Sequence, residues 1–453
     1  MVLQYLGILP CLGIPWWVWK RCSYGGSDDS KDWYLAVARE FEPVPRICRL
    51  ILSVYEDDPE HPKFAPPGGY GIKPDWVVKR VTNDQTQGRA PPYLIYTDHD
   101  HQEIVLALRG LNVGSGSDYR ILLDNSLGMQ MFDGGYVHRG LLKSAIWLLN
   151  QECDTLLEQW RANGRSYKMV FAGHSLGSGV AAIATMLVIN HRDRLGDIPR
   201  SSIQCYAVAP ARSVSLELAV RYADVIHSVV LQDDFLPRTS TPLEDHFKAI
   251  CCLPCLIFIM CLRDTLIPED CWLRDRRRLY APGRLYHIVE RKFFRCGRFP
   301  PEVRTAIPVD GRFEHIVLSC NAASDHEIIW IEKESTKALE VMKEKETATE
   351  PPSRQRFETK CTLEKEHKDA VERAVSLNVR HAMSSTDRLT EDTHVVVESN
   401  TDEVPLSELK SSGSTTEWDI FVEKLFSKDE SGNVILKKSY EDRGLTVTEV
   451  SSC

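Results

Sequence analysis

Apolar positions along the chain fall into two rhythms. Short apolar runs bounded by polar or glycine-rich turns read as buried strands at residues 93–96, 104–108, 167–172, 201–208, 225–231, 284–290 and 315–320. Longer stretches with apolar residues three and four apart read as helices at 46–55 (after Val44-Pro45), from about 140 to 161, at 176–190, and from near Asp325 onward. Residues 28–66 are a helical lead-in before a Pro/Gly loop, and 97–102 form the polar turn between the first two strands. Strands alternating with helices predict an α/β fold. Its central sheet is mostly parallel with helices on both faces, and its chemistry lies at the carboxyl ends of the strands.

Two apolar stretches break this alternation. Residues 2–19 carry only Gln4 against the apolar trend and end in Trp16, Trp17 and Trp19, followed by Lys20 and Arg21. A secretory leader has its positive charge ahead of the apolar run, whereas here the charge follows it. Aromatic rings beside Lys/Arg mark a membrane interface with the basic end on the cytoplasmic face. Pro10 and Pro15 interrupt a helix, so shallow insertion is expected ahead of a full span or a buried arm. The second stretch, residues 250–262, is about five residues short of a span. Close after it, residues 271–304 hold ten Lys/Arg against Asp275, Glu290 and Glu302, together with Phe293, Phe294 and Phe299. An apolar finger beside a basic, Phe-bearing patch fits an anionic membrane surface; the alternative is a buried hairpin with a solvated charged face. The expected division is therefore a membrane-associating segment at 1–24, a catalytic-type domain at 28–342 with its insertion at 240–304, and an acidic, mostly disordered tail at 343–453.

Charge and composition narrow the function classes. The 453 residues, 43% hydrophobic, suffice for one large domain of about 300 residues plus extensions. Residues 1–330 hold 37 basic and 38 acidic side chains and residues 331–453 hold 18 and 26, so the net charge of -9 belongs almost wholly to the tail. Without a basic excess over the body, nucleic acid is excluded as the main partner. Of fourteen cysteines, Cys251, Cys252, Cys255 and Cys261 crowd into one apolar run, which reads as reduced, cytosol-facing thiols and not a secreted disulfide framework. A zinc site at Cys252 and Cys255 is the rival, and it lacks a second Cys/His pair at ligand spacing. No metal or cofactor is called for.

The candidate chemistry centres on residues 170–179. A serine stands between an apolar strand and a run of small residues, with Gly173 and Gly177 two positions either side of Ser175. A strand, a sharp turn and a helix around G-x-S-x-G form a nucleophile elbow, the mark of an α/β-hydrolase. A serine hydroxyl needs a histidine to take its proton, and the histidine needs an acid to fix its tautomer. In this fold the chain order is Ser, Asp, His. Asp233 and Asp234 follow the strand ending at 231, and His326 follows the strand ending at 320. Among the rivals, His287 and His315 fall in or at the start of strands, and His174 is pinned inside the elbow. The loop after the strand ending at 108 and the amide following the nucleophile supply the oxyanion donors, here the backbone N–H groups of Leu111 and Leu176.

Gly173-His174-Ser175-Leu176-Gly177 after Val170-Phe171, the DGGYVHRG stretch at 133–140, Asp234-Phe235-Leu236-Pro237-Arg238 and Ser324-Asp325-His326 together resemble the class 3 lipases. The resemblance covers roughly residues 40–335. The family's acid stands three residues before its Pro-Arg, which selects Asp234 over Asp233. Residues 280–289 are similar to the segment before the last strands of sn-1-specific diacylglycerol lipases. The apolar start and the Cys-rich run resemble plant calmodulin-binding, heat-shock-type lipase-like proteins. The resemblance implies an α/β-hydrolase with an insertion or lid between the acid and the histidine. It implies a serine esterase acting on glycerolipid acyl esters through acyl-Ser175, with calcium-calmodulin as a further partner. One position departs: the lipase loop reads Arg-Gly-Thr or Arg-Gly-Ser, whereas Arg109-Gly110 is followed by Leu111. Losing that hydroxyl donor implies a cost of about 2.7–4 kcal/mol of transition-state stabilisation unless Asn112 substitutes. The second reading is therefore a calmodulin-binding interaction protein with weak or no hydrolase activity.

Overall fold

The computed structural model describes residues 25–58, 61–111, 118, 121, 124, 130–239, 278–291, 298–307, 313, 317, 319–348, 426–428 and 434–436. The apolar segments 2–19 and 250–262, the cysteines at 251–261, most of the basic patch, Asn112, His315 and nearly all of the tail lie outside the described residues. Among the described residues no helix is long and apolar enough to cross a membrane.

The chain divides into one compact unit at Met1–Ala374 and a second at Val375–Cys453. In chain order the first contains β1 (Tyr34–Leu35), α1 (Ala38–Phe41), α2 (Pro43–Ser53), β2 (Val77–Val81), α3 (Asn83–Thr86), β3 (Tyr93–Asp98) and β4 (Glu103–Leu108). There follow a small hairpin of β5 (Gln130–Phe132) and β6 (Gly135–Val137), then α4 (Arg139–Ala162), β7 (Lys168–His174), α5 (Leu176–Asn190) and β8 (Ile203–Val208). The unit continues through α6 (Leu216–Arg221), β9 (Ile226–Leu231), β10 (Arg284–Arg291), β11 (Arg298–Ala306) and α7 (Ile328–Ala348). In the second unit β12 (Phe426–Lys428) pairs antiparallel with β13 (Val434–Leu436).

Nine strands form one sheet in the order β1-β11-β10-β9-β8-β7-β4-β3-β2. The five central strands β10, β9, β8, β7 and β4 run parallel, and β11 and β3 join them antiparallel on either side. Every residue of β4 is buried, as a parallel strand covered on both faces requires. Alternate side chains (Val105 and Ala107, Val170 and Ala172, Tyr206 and Val208) share one core with Ile47 and Ile51 of α2 and Ile331 and Ala338 of α7. Helix α2 starts on Pro43, whose missing N–H costs nothing at that position, and its residues 44, 47, 48 and 51 form the apolar stripe. Truncating fully buried Ile51 to Ala would cost about 2–5 kcal/mol. The opposite face is covered by α4 and α5. This is an α/β-hydrolase fold.

The expected strand at 315–320 requires correction. Its described residues 317, 319 and 320 are not in a strand, and the sheet instead receives β11, which the sequence concealed. Pro300 and Pro301 argue against a strand because they donate no ladder hydrogen bond. They are tolerated because the pairing of β10 and β11 shifts register between Val289 and Arg291.

Candidate active site

Ser175 leaves the end of β7 and caps α5 with φ 53° and ψ −117°, a conformation that side chains rarely adopt. Such strain costs about 1–3 kcal/mol and persists only where the surroundings enforce it. Here the Ser175 N–H donates to Val208 O at 2.9 Å. The Ser178 hydroxyl donates to Ser175 O at 2.5 Å and itself accepts the Ala211 N–H at 3.1 Å. The two glycines are required by close approach. A Cβ on Gly173 would lie 2.2 Å from Gly177 O, and one on Gly177 would lie 2.4 Å from Arg109 O. The helix α5 thus lies close against its own strand at Gly173, while Gly177 also meets the end of β4 and Gly179 meets Leu141 of α4.

The candidate acid and base, Asp234 and His326, come from loops later in the chain. Asp234 lies just past β9 and is fully buried, and His326 ends a tight turn, Ser324–His326, ahead of α7. His326 Nε2 lies 2.9 Å from Ser175 Oγ, and its Nδ1 lies 3.0 Å from Asp234 Oδ1. A carboxylate only accepts, so Nδ1 carries the proton and Nε2 is free to accept from the serine hydroxyl. Asp234 Oδ1 also accepts the Leu236 N–H at 3.0 Å. Arg238, wholly buried, donates to the carbonyls of Gln232 (2.8 Å) and Asp234 (2.5 Å) and so holds the backbone of this loop. Asp233 points elsewhere: its N–H donates to Asp325 Oδ2 at 2.9 Å, and its carboxylate lies 3.5 Å from Arg291. Burial pushes Asp325 up to about 6 despite the Arg291 guanidinium clasping it. His287 sits fully buried in β10 with both ring nitrogens hydrogen-bonded.

The loop after β4 closes the site from the other side. A Cβ on Gly110 would lie 2.9 Å from Ser175 Cβ and 2.8 Å from His174 Nδ1, so Arg109-Gly110-Leu111 passes directly over the elbow. The Gly110 N–H donates to Tyr55 Oη at 2.7 Å, and that hydroxyl lies 2.6 Å from His174 Nδ1. His174 Nε2 lies 2.7 Å from the carbonyl of His326, and since that carbonyl only accepts, Nε2 carries the proton and Tyr55 donates to Nδ1. Burial, then the neighbouring His326, pushes His174 down to about 3, so it works as a neutral connector. The Leu176 N–H, at the first position of α5, has no carbonyl of its own helix to reach. Tyr55 and its relay to Gly110 and His326 had no signal in the sequence. Arg238 was visible only as part of the 234–238 motif.

Two family models match the chain: "Lipase (class 3)" over residues 105–244 and "Lipase 3 N-terminal region" over residues 6–72. The chain carries a class 3 lipase-like fold. The first model runs from β4 past the acid loop, taking in Leu111, Ser175 and Asp234, and stops short of His326. Among curated proteins, diacylglycerol lipase-beta of Mus musculus is 29% identical over 164 residues, covering 34% of this chain and 23% of that protein. Diacylglycerol lipase-alpha of Homo sapiens is 27% identical over 171 residues, covering 35% and 15%. The match thus spans less than a quarter of either relative. Among solved structures, a lipase from Rhizopus microsporus var. chinensis aligns with TM-score 0.43 at 17% identity over 64% of this chain and 87% of its own. A fungal lipase–inhibitor complex aligns with TM-score 0.42 at 16% identity over 60% and 86%.

Proposed function

We propose that the chain is a serine lipase that hydrolyses acyl esters of glycerolipids, with diacylglycerol-type esters as the first substrates to test. The observation that carries the reading is the continuous line Ser175 Oγ–His326–Asp234, with bonds of 2.9 and 3.0 Å. As the Ser175 hydroxyl attacks the ester carbonyl, its proton passes to His326 Nε2, and the imidazolium is held by Asp234. The negative charge on the tetrahedral oxygen falls to the backbone N–H groups of Leu176 and Leu111. His326 returns the proton to the departing alcohol, leaving acyl-Ser175. A water deprotonated by His326 then attacks the acyl carbon, and the acid leaves as Ser175 recovers its proton. A fluorophosphonate probe is expected to label the native protein and not Ser175→Ala; absence of Ser175-dependent labelling overturns the reading.

The lipid substrate makes a membrane surface the partner, and the apolar segments 2–19 and 250–262 with the basic patch are the sequence features that support attachment at its cytoplasmic face. Full-length protein found wholly in the soluble fraction would count against it. Leu111, where a hydroxyl donor is expected, favours the second reading, a lipase-like protein acting through calcium-calmodulin. An inert native protein whose full-length chain shifts with calcium-calmodulin on a native gel would support it.

A further inference from the structure

Asp234 is aimed by a turn that cannot hold itself. Gln232, where the chain leaves β9, has φ 35°, a left-handed conformation that costs a non-glycine residue about 1–3 kcal/mol. Its side-chain oxygen accepts the N–H groups of Glu290 (2.9 Å) and Arg291 (3.2 Å), and its own N–H donates to Ile288 O at 2.9 Å. Its carbonyl accepts from Arg238 at 2.8 Å and from His287 Nε2–H at 2.9 Å. The groups that complete this grip come from the other end of the sequence.

Three residues between Gly25 and Trp33 reach the loop by separate routes. The Gly26 N–H donates to Asp233 Oδ1 at 2.9 Å, with its α-carbon so close that a Cβ would lie 2.2 Å from Gln232 O and 2.6 Å from Asp233 Oδ1. Asp29 Oδ2 accepts from Arg238 Nε at 2.9 Å, supplying a carboxylate to a guanidinium that is 0% exposed. Burying that cation without a counter-charge would be prohibitive. The third route is fixed by tautomer. His287 must carry its proton on Nε2 to donate to the Gln232 carbonyl, so its Nδ1 accepts the hydroxyl proton of Ser30 at 2.7 Å. Trp33 closes the stretch, its ring 5.2 Å from Phe313 and 6.1 Å from His287.

We propose that residues 25–33 are a positioning strap for the catalytic acid. They set Gln232, and through it the Asp234–His326 bond, without touching substrate. The inference rests on the hydrolase reading for its kinetic consequence and on geometry alone for the placement of Asp234. A displacement of about 1 Å in a catalytic group costs on the order of 10²-fold in rate. The full chain carrying Gly26→Ala places a methyl against the Gln232 carbonyl. It is expected to lose kcat on a soluble short-chain ester by tenfold or more with KM within twofold, and to unfold at a lower temperature than wild type because the Gln232 backbone has to give way. Asp29→Asn is expected to lose more, and Asp29→Glu to recover part of that loss. Should Gly26→Ala or Asp29→Asn fail to fold, Ser30→Ala, which deletes one hydroxyl, carries the test with a smaller loss of kcat.

A second readout needs no turnover. The Nδ1 proton of His326, observed by NMR in protein containing isotope-labelled histidine, is expected to move upfield in Gly26→Ala and Ser30→Ala as its bond to Asp234 lengthens. Folded variants with wild-type kcat, or with an unmoved Nδ1 proton, overturn the strap. A wild-type chain without activity whose Nδ1 proton still responds to the strap overturns the hydrolase reading instead.

Discussion

Tyr55→Phe removes a single oxygen and tests how the oxyanion loop is held. In the protein that hydroxyl accepts the Gly110 N–H at 2.7 Å and donates to His174 Nδ1 at 2.6 Å. Burial pushes its ionisation far above neutral, so it keeps the proton it donates throughout the working pH range. The substitution leaves an amide and an imidazole nitrogen without partners in a buried site, a loss of about 1–3 kcal/mol of stability. The catalytic effect is separable. Leu111 has no hydroxyl, so the loop's contribution to the oxyanion is its backbone N–H, one residue beyond the amide that Tyr55 anchors. Outright loss of one such donor costs about 10²–10³-fold in kcat. An amide displaced but still present should cost about 10–10²-fold. The oxyanion exists only in the transition state, so KM should hardly change. Hydrolysis of a p-nitrophenyl ester and thermal unfolding of the same preparation measure both effects. If unfolding shifts as expected while kcat stays within twofold of wild type, Tyr55 is only structural and the Leu111 amide is not an oxyanion donor.

Asp234→Asn should reduce kcat by about 10⁴-fold, since an amide no longer fixes the His326 tautomer. Asp233→Asn keeps an oxygen for the Gly26 N–H and should be mild; equal and severe loss in two folded variants would contradict the assignment. His174 supplies a pH test of stability. Its folded pKa, pushed down to about 3 by burial, lies below its unfolded value, so between about pH 3 and 6.5 the unfolded chain binds a proton that the folded chain does not. Its contribution is therefore fully present above about pH 6.5 and is lost as pH falls through that window. His174→Gln should reduce the rise of unfolding free energy with pH by about 1.4 kcal/mol per unit between pH 4 and 6; identical slopes in denaturant titrations would exclude this.

What could be read in the sequence was whatever is local or ordered along the chain. The elbow is local: its strand, turn and helix lie within residues 168–190, and the glycine spacing reflects approaches so close that a Cβ would lie 2.2 and 2.4 Å from backbone oxygens. The order Ser175, Asp234, His326 follows from the crossover logic of a parallel sheet, and the three side chains meet. Tyr55, Asp29 and Gly26 carry no such mark. Their partners stand 55, 209 and 207 positions away, and no periodicity connects a tyrosine after one helix to an amide after a distant strand. The edges of the sheet were hidden for a different reason. Strand β11 is interrupted by two prolines, and β2 is a short Val/Lys/Arg segment without a continuous apolar run.

The two halves of the triad face different physical problems. Ser175 is carried by β7, paired on both sides by β4 and β8, so its backbone is fixed by the sheet before any side chain is considered. Asp234 lies beyond the last residue of β9, in the turn that leads into the buried helical turn Leu236–Arg238. Fixing a turn beyond the end of its strand costs about 1–2 kcal/mol of conformational freedom per residue, which contacts outside the ladder have to offset. The neighbouring strand β10 grips Gln232, through Ile288, Glu290 and Arg291, but Asp234 lies two residues further on. Arg238 supplies two contacts from just downstream, and its own buried charge is met by Asp29. Precision at the acid therefore depends on a residue more than two hundred positions upstream, and a class 3 lipase-like core cut to residues 105–244 would keep Ser175 and Asp234 while losing both His326 and the means of aiming Asp234.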